Sequence, residues 1–267
     1  SSWAELVAQE REALRRFEAT GDEEALKTAK NTGQAQPHIP RSALGDNDIS
    51  LQVLKDKIAG AGIETPKGVA PSWARYITVS IDTQGNHFDV GVTAWGDNGR
   101  HQPIDRFELH TPPEGAPQSG EDRSLKPFDI AEDWAVLDPL GDMVWPVQGE
   151  AYGLRPVSLA VDMQGGGQTT ENAYRFYRGR RKAGQGRLWY LTRGSGGAHT
   201  DRVWLKEPER ASQRAGRRKA ATDIKILNMA TDRLKDAVAS SLRQTIGGQN
   251  MCDLAIWMEH RDDAIQI

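Results

Sequence analysis

A single cysteine, Cys252, leaves this 267-residue chain without an internal disulfide or a thiolate cluster, and fits a reducing compartment. No apolar run approaches the roughly 20 residues that a bilayer-spanning helix needs. The opening residues, Ser1-Ser2-Trp3-Ala4-Glu5, lack the pattern of a secretory leader, so the expectation is a soluble, intracellular protein. The six histidines are scattered, and no pair has zinc-ligand spacing. A phosphate-binding loop is missing too. Gly21 to Thr28 has the outline of one, but Leu26 stands where a second glycine must precede Lys27, and acids crowd the segment. Ser195, in Gly194-Ser195-Gly196-Gly197, is not in the arrangement of a nucleophile elbow.

What the chain does have is enough length for a large core, eight tryptophans and many aliphatic residues, which argue against disorder. Its charge is segregated. Between Arg175 and Lys219 there are fourteen Lys and Arg against three acids, although the net charge of the whole chain is −3. Such clusters are most often solvated surface, but this one also suits a polyanion-binding face on an otherwise acidic body.

The organising stretch is Tyr76 to Gly96. Ile77, Val79 and Ile81 alternate with Thr78, Ser80 and Asp82, the period of a half-buried strand. A Gln84-Gly85-Asn86 turn follows, then a second strand from Phe88 to Trp95. Later the chain nearly repeats itself: Val157 to Val161 leads to Asp162-Met163-Gln164-Gly165, matching Asp82-Thr83-Gln84-Gly85. Two strands that each end in Asp-x-Gln-Gly can bring two carboxylates to one sheet edge. Hard cations such as Mg²⁺ or Mn²⁺ prefer such oxygen donors. The plainer reading of either aspartate is a turn-capping residue at a strand end.

In chain order, residues 1–30 read as helical, with Asp22 capping a short helix through Lys30. Residues 31–50 read as a linker, and Ser50 to Ala59 as a short helix. His101 to His110 gives a third strand, and residues 111–128 a long exposed loop. Ile130 to Leu137 is short and amphipathic. After Asp162 come a glycine loop, a helix to about Lys182, strands at 188–191 and 224–229, a helix starting at Thr231-Asp232, and a terminal helix from Cys252 to Ile265. This order predicts an α/β fold, a mixed central sheet flanked by helices, and is the order of the ribonuclease H-like fold. The expected division is a helical extension and linker over 1–70 and a ribonuclease H-like domain over 71–267.

Four motifs in order resemble the nuclease domain of tailed-bacteriophage terminase large subunits, most closely the lambda-like group. They are Val69 to Gly85 continuing to Gly96, Leu159 to Tyr174, Met229 to Asp236, and Asn250-Met251-Cys252-Asp253-Leu254. The resemblance covers roughly residues 65–267. It departs from the family in one place, because the segment between the Asp232 helix and Asn250 is short here. The resemblance implies a metal-dependent endonuclease that cuts concatemeric double-stranded viral DNA by a two-metal mechanism. Asp82 would be the bridging ligand, and Asp162 and Asp253 would each hold one of two Mg²⁺ or Mn²⁺ ions. For Asp253 the alternative is a helix-start acid favoured by the dipole; Asp232 sits similarly, reads first as such a structural acid and second as the third ligand, and Asp262 and Asp263 are further alternatives whose plainer reading is solvated surface. Arg178, Arg180, Arg181, Lys182, Arg193, Arg202, Arg214, Arg217, Arg218 and Lys219 would contact phosphates with little sequence preference. An ATPase domain upstream of residue 1, a small terminase subunit and the portal protein are the implied partners, in the cytoplasm of an infected bacterium. A resolvase- or transposase-type nuclease and a non-catalytic DNA- or portal-docking module are the competing readings.

Overall fold

The computed structural model describes residues 3–20, 29, 51–119, 123–196, 201–206, 224–243 and 250–260. Two helices come first, α1 (Trp3–Thr20) and α2 (Leu51–Ala61). The hairpin follows as β1 (Tyr76–Thr83) and β2 (Phe88–Trp95), then β3 (His101–Leu109). A 3-10 segment, Ala131–Gly141, leads to the short pair β4 (Trp145–Pro146) and β5 (Gly153–Leu154). Then come β6 (Pro156–Asp162), α3 (Thr169–Lys182), β7 (Trp189–Ser195), β8 (Val203–Lys206), β9 (Ile226–Ala230) and α4 (Thr231–Arg243).

Seven strands form one mixed sheet in the order β3-β2-β1-β6-β7-β9-β8. β1 pairs antiparallel with β2 and parallel with β6, and β6, β7 and β9 continue parallel. The carboxyl ends of β1, β6, β7 and β9 therefore share one edge, where open α/β sheets generally place their ligands. The expected α/β architecture is present, a mixed sheet flanked by helices.

Alternation decides which face is buried. Ile77, Val79, Ile81 and Thr83 of β1 are buried, whereas Tyr76, Ser80 and Asp82 are exposed. The buried face is covered by the 3-10 segment and α3, through edge-to-face and tilted rings. Phe88 of β2 meets Trp134 at 5.2 Å, Trp134 meets Phe176 at 5.8 Å, and Phe176 meets Trp189 of β7 at 4.9 Å. Such pairs add about 0.5–1.5 kcal/mol each beyond the area they bury, and they fix the crossover helix over the sheet.

A second, smaller core joins α2 to the far end of the chain through Leu54, Ile58, Leu242, Cys252, Leu254 and Met258. The Lys57 ammonium donates to the Leu242 carbonyl at 2.6 Å. Burial pushes the Cys252 thiol up to about 12, so it stays protonated in the folded chain.

Three expectations change. Cys252 does not begin a helix: Met251 to Asp253 is extended and clipped to β3, the His101 amide donating to Met251 O (2.9 Å) and the Asp253 amide to His101 O (2.8 Å). Among the described residues of this segment, Ile256–His260 is helical, as a 3-10 turn. The segment 111–128 is not uniformly exposed, since Leu125 is fully buried. Strand β8 lies in the basic stretch where the sequence shows little apolar periodicity. The short helix expected between Asp22 and Lys30 and the linker over 31–50 fall outside the described residues, residue 29 excepted. No helix among the described residues is long and apolar enough to cross a membrane.

Candidate active site at the carboxyl edge of the sheet

Asp82 and Asp162 come together. Ile81 is in register with Val161, so the two aspartates follow on adjacent parallel strands, about 4.8 Å apart in the pairing direction. Thr83, buried behind Asp82, donates its hydroxyl to the Asp162 carbonyl at 2.6 Å and locks the two strand ends to each other. The chain leaves β1 toward β2 on one side and β6 toward β7 on the other, the kind of switch point at which open α/β sheets generally bind ligands.

The repeated Asp-x-Gln-Gly turns hold each carboxylate differently. The Gln84 side-chain amide donates to Asp82 Oδ2 at 2.5 Å. At the second turn the Gln164 main-chain amide donates to Asp162 Oδ1 at 3.0 Å, while the Gln164 side-chain oxygen accepts from the Gly194 amide at 2.6 Å. The glycines after Asp162 are required by packing. A Cβ on Gly165 would sit 2.7 Å from the Phe128 ring and 2.8 Å from Thr169 Oγ1, and Gly167 has a positive φ of 57°.

Burial raises the Asp162 pKa above the ordinary aspartate value, and the charge of Asp82 raises it further, against the main-chain amides of Gln164 and Met163. An acid whose folded pKa exceeds its unfolded one contributes fully to stability below the unfolded value, and that contribution is lost as pH rises through the raised value. Asp162→Asn should therefore melt above the wild type at pH 8 in the absence of divalent ions. The gap should close toward pH 4, as followed by circular dichroism. A variant that melts lower at pH 8 would contradict the buried-charge account.

Asp89 is the acid that sequence reasoning passes over. It is directly opposite Asp82 on β2, and like charges so placed repel. Arg106 offsets this with a forked contact, Nε to Oδ1 at 3.1 Å and Nη2 to Oδ2 at 2.5 Å. The signal was present in the strand period, which puts Asp89 on the face of Asp82.

Asp253 does not join them. It lies beside His101, whose strand partner Trp95 pairs with Tyr76 at the opposite end of β1, roughly 20 Å along the strand from Asp82. Its carboxylate is nearly buried and accepts from Arg100 Nε and Nη2, both at 2.7 Å, and Arg100 in turn covers the Trp73 ring at 4.2 Å. This is a clamp for the C-terminal segment. Asp232 is on the same edge as Asp82 and Asp162. α4 starts directly after β9, and Thr231 Oγ1 would lie 3.1 Å from a Cβ on Gly194, the residue bonded to Gln164. Asp262 and Asp263 fall outside the described residues.

The expected phosphate contacts divide. Arg202 precedes β8 opposite Ala230, its carbonyl accepting from the Ala230 amide at 2.8 Å, and Arg193 is on β7, so both lie toward the edge of the acids. Arg178, Arg181 and Lys182 belong to the C-terminal part of α3, which runs away from that edge. Arg180 is engaged elsewhere, donating to Asp138 at 2.8 Å and stacking over Phe176 at 5.6 Å. Arg214, Arg217, Arg218 and Lys219 fall outside the described residues.

Among the described residues, no three or more His, Cys, Asp or Glu side chains are grouped to hold a metal ion. Two carboxylates still fit a hard cation, because Mg²⁺ commonly takes one or two protein carboxylates and completes its shell with waters and substrate phosphates. The charge of Asp162, penalised by burial and by the neighbouring Asp82, is also what a cation would relieve.

Comparison with curated proteins and with solved structures yields no match. The family model of the terminase large subunit gpA endonuclease domain matches residues 1–261, nearly the whole chain, and the chain belongs to that family.

Proposed function

We propose that this domain is a divalent-metal-dependent endonuclease that hydrolyses phosphodiester bonds of concatemeric double-stranded viral DNA with little sequence specificity. The observation that carries the reading is the meeting of Asp82 and Asp162 on adjacent strand ends, locked by Thr83. Bound there, Mg²⁺ or Mn²⁺ would supply Lewis-acid activation of the phosphate and of the attacking water. Asp82 and Asp162 would hold it, and Arg193 and Arg202 would position backbone phosphates beside them. A two-ion arrangement needs a further acid at the same edge. Asp232 answers that need better than Asp253, and Asp89 is already committed to Arg106. The mixed sheet, an antiparallel hairpin and third strand extended by parallel strands, supports the ribonuclease H-like reading of the sequence and with it the same chemistry. The small terminase subunit, the portal and an ATPase domain in the same polypeptide are the proposed partners, with the infected host cytoplasm as the setting.

The test is incubation of supercoiled plasmid with the domain and Mn²⁺ or Mg²⁺. Nicking and linearisation that chelator blocks are expected. Cleavage that persists in chelator would reject the metal, and absence of cleavage despite measured DNA binding would favour a docking module.

A further inference from the structure

We propose that Gln84 is a positioning residue for cation capture. This rests on the metal reading of Asp82 and Asp162 and adds to it a residue that the strand pattern alone does not mark. The two Asp-x-Gln-Gly turns are nearly identical in sequence, yet only the first aims its glutamine side chain at a carboxylate. Gln84 Nε2 lies 2.5 Å from Asp82 Oδ2, whereas Gln164 spends its side chain on the Gly194 amide and leaves Asp162 to a main-chain donor.

The difference matters because Asp82 is exposed at a strand end, where an unrestrained carboxylate samples several rotamers. The Gln84 amide restricts that sampling and is itself held by the turn. The Gln84 main-chain amide donates to the His87 carbonyl at 3.0 Å, and Gly85 lies against the Phe128 ring. One lone pair of Oδ2 takes the amide hydrogen, and the carboxylate keeps further lone pairs for a cation. Partners of this kind typically change metal affinity by about 10–100-fold when removed. Gln164 does not have this role, because its side chain can be lost while the main-chain bond to Asp162 survives.

The experiment measures Mn²⁺ dissociation constants by electron paramagnetic resonance on the DNA-free domain, beside melting temperatures without metal. Gln84→Met keeps the length and removes the donor. It should weaken Mn²⁺ binding about tenfold or more with little change in the metal-free melting temperature, since its bond stays within one turn and ties no second strand. Gln164→Met should change Mn²⁺ binding less than about threefold and should instead lower the melting temperature, by freeing the end of β7. Gln84→Met binding Mn²⁺ as tightly as the wild type, while Asp82→Asn loses it, would overturn the role of Gln84 and leave the metal site standing. A wild type that binds no Mn²⁺, or an Asp82→Asn variant that binds it undiminished, would remove the metal reading and this inference together.

Discussion

Asp82→Asn and Asp162→Asn should each slow metal-dependent plasmid cleavage by about 10³-fold, equivalent to roughly 4 kcal/mol of transition-state stabilisation. The two acids lie on neighbouring parallel strands, so neither can substitute for the other without moving a strand end that Thr83 ties to its neighbour. Asparagine keeps the shape and the hydrogen bonds from Gln84 and the Gln164 amide but removes the charge that attracts a cation. DNA affinity should hold or tighten in both variants, because each removes a negative charge facing a polyanion. Asp253→Asn is the contrast. Its carboxylate braces Arg100 at the other end of the sheet, so cleavage measured below the melting temperature should stay within about fivefold of wild type. If Asp253→Asn lost as much activity as Asp82→Asn, the placement of the site at the carboxyl edge would be wrong.

The pair at 82 and 162 was legible because two local signals coincide: a period-two strand that fixes the face of each aspartate, and a repeated turn that fixes its place at the strand end. Parallel pairing of β1 with β6 then brings equivalent positions to one edge. The resemblance alone groups Asp253 with that pair, and a ligating acid and a strand-clipped acid look alike in one dimension. The partner that decides the matter, Arg100, is 153 residues away in sequence. The same limit explains β8. Its four residues are held by pairing with β9 rather than by a buried face, and Val203 and Leu205 are about half exposed. Arg180 illustrates a third failure. Its neighbours in sequence are basic, which suggested a phosphate contact, but it is drawn inward by Asp138 and Phe176. Charge counts give the composition of a helix and not the direction of each side chain.

Arg123→Met should lower the stability of the domain by about 3–5 kcal/mol, the usual consequence of leaving one partner of a buried ion pair alone. Arg123 and Asp133 are 8 % and 0 % exposed, and the guanidinium grips the carboxylate with two parallel bonds of 2.8 Å. Asp133 also accepts from the Lys126 amide at 2.7 Å, and Arg123 donates to the carbonyls of Pro117 and Ser124. Between the two partners lies Phe128, whose ring fills the space above Gly85, Gly165 and Gly166, the turns that follow Asp82 and Asp162. The ion pair therefore anchors the segment that supports both Asp-x-Gln-Gly turns, and on the proposed function cleavage should fall together with stability. Denaturant unfolding followed by tryptophan fluorescence reads the first effect, through Trp134 immediately beside Asp133. The double variant Arg123→Met/Asp133→Leu removes both charges and should recover most of the lost stability, since the desolvated carboxylate and not the missing contact dominates the cost. Recovery of stability without recovery of cleavage would show that the fork sets the position of Phe128. A single variant within about 1 kcal/mol of wild type would mean that water reaches Asp133, against its complete burial here.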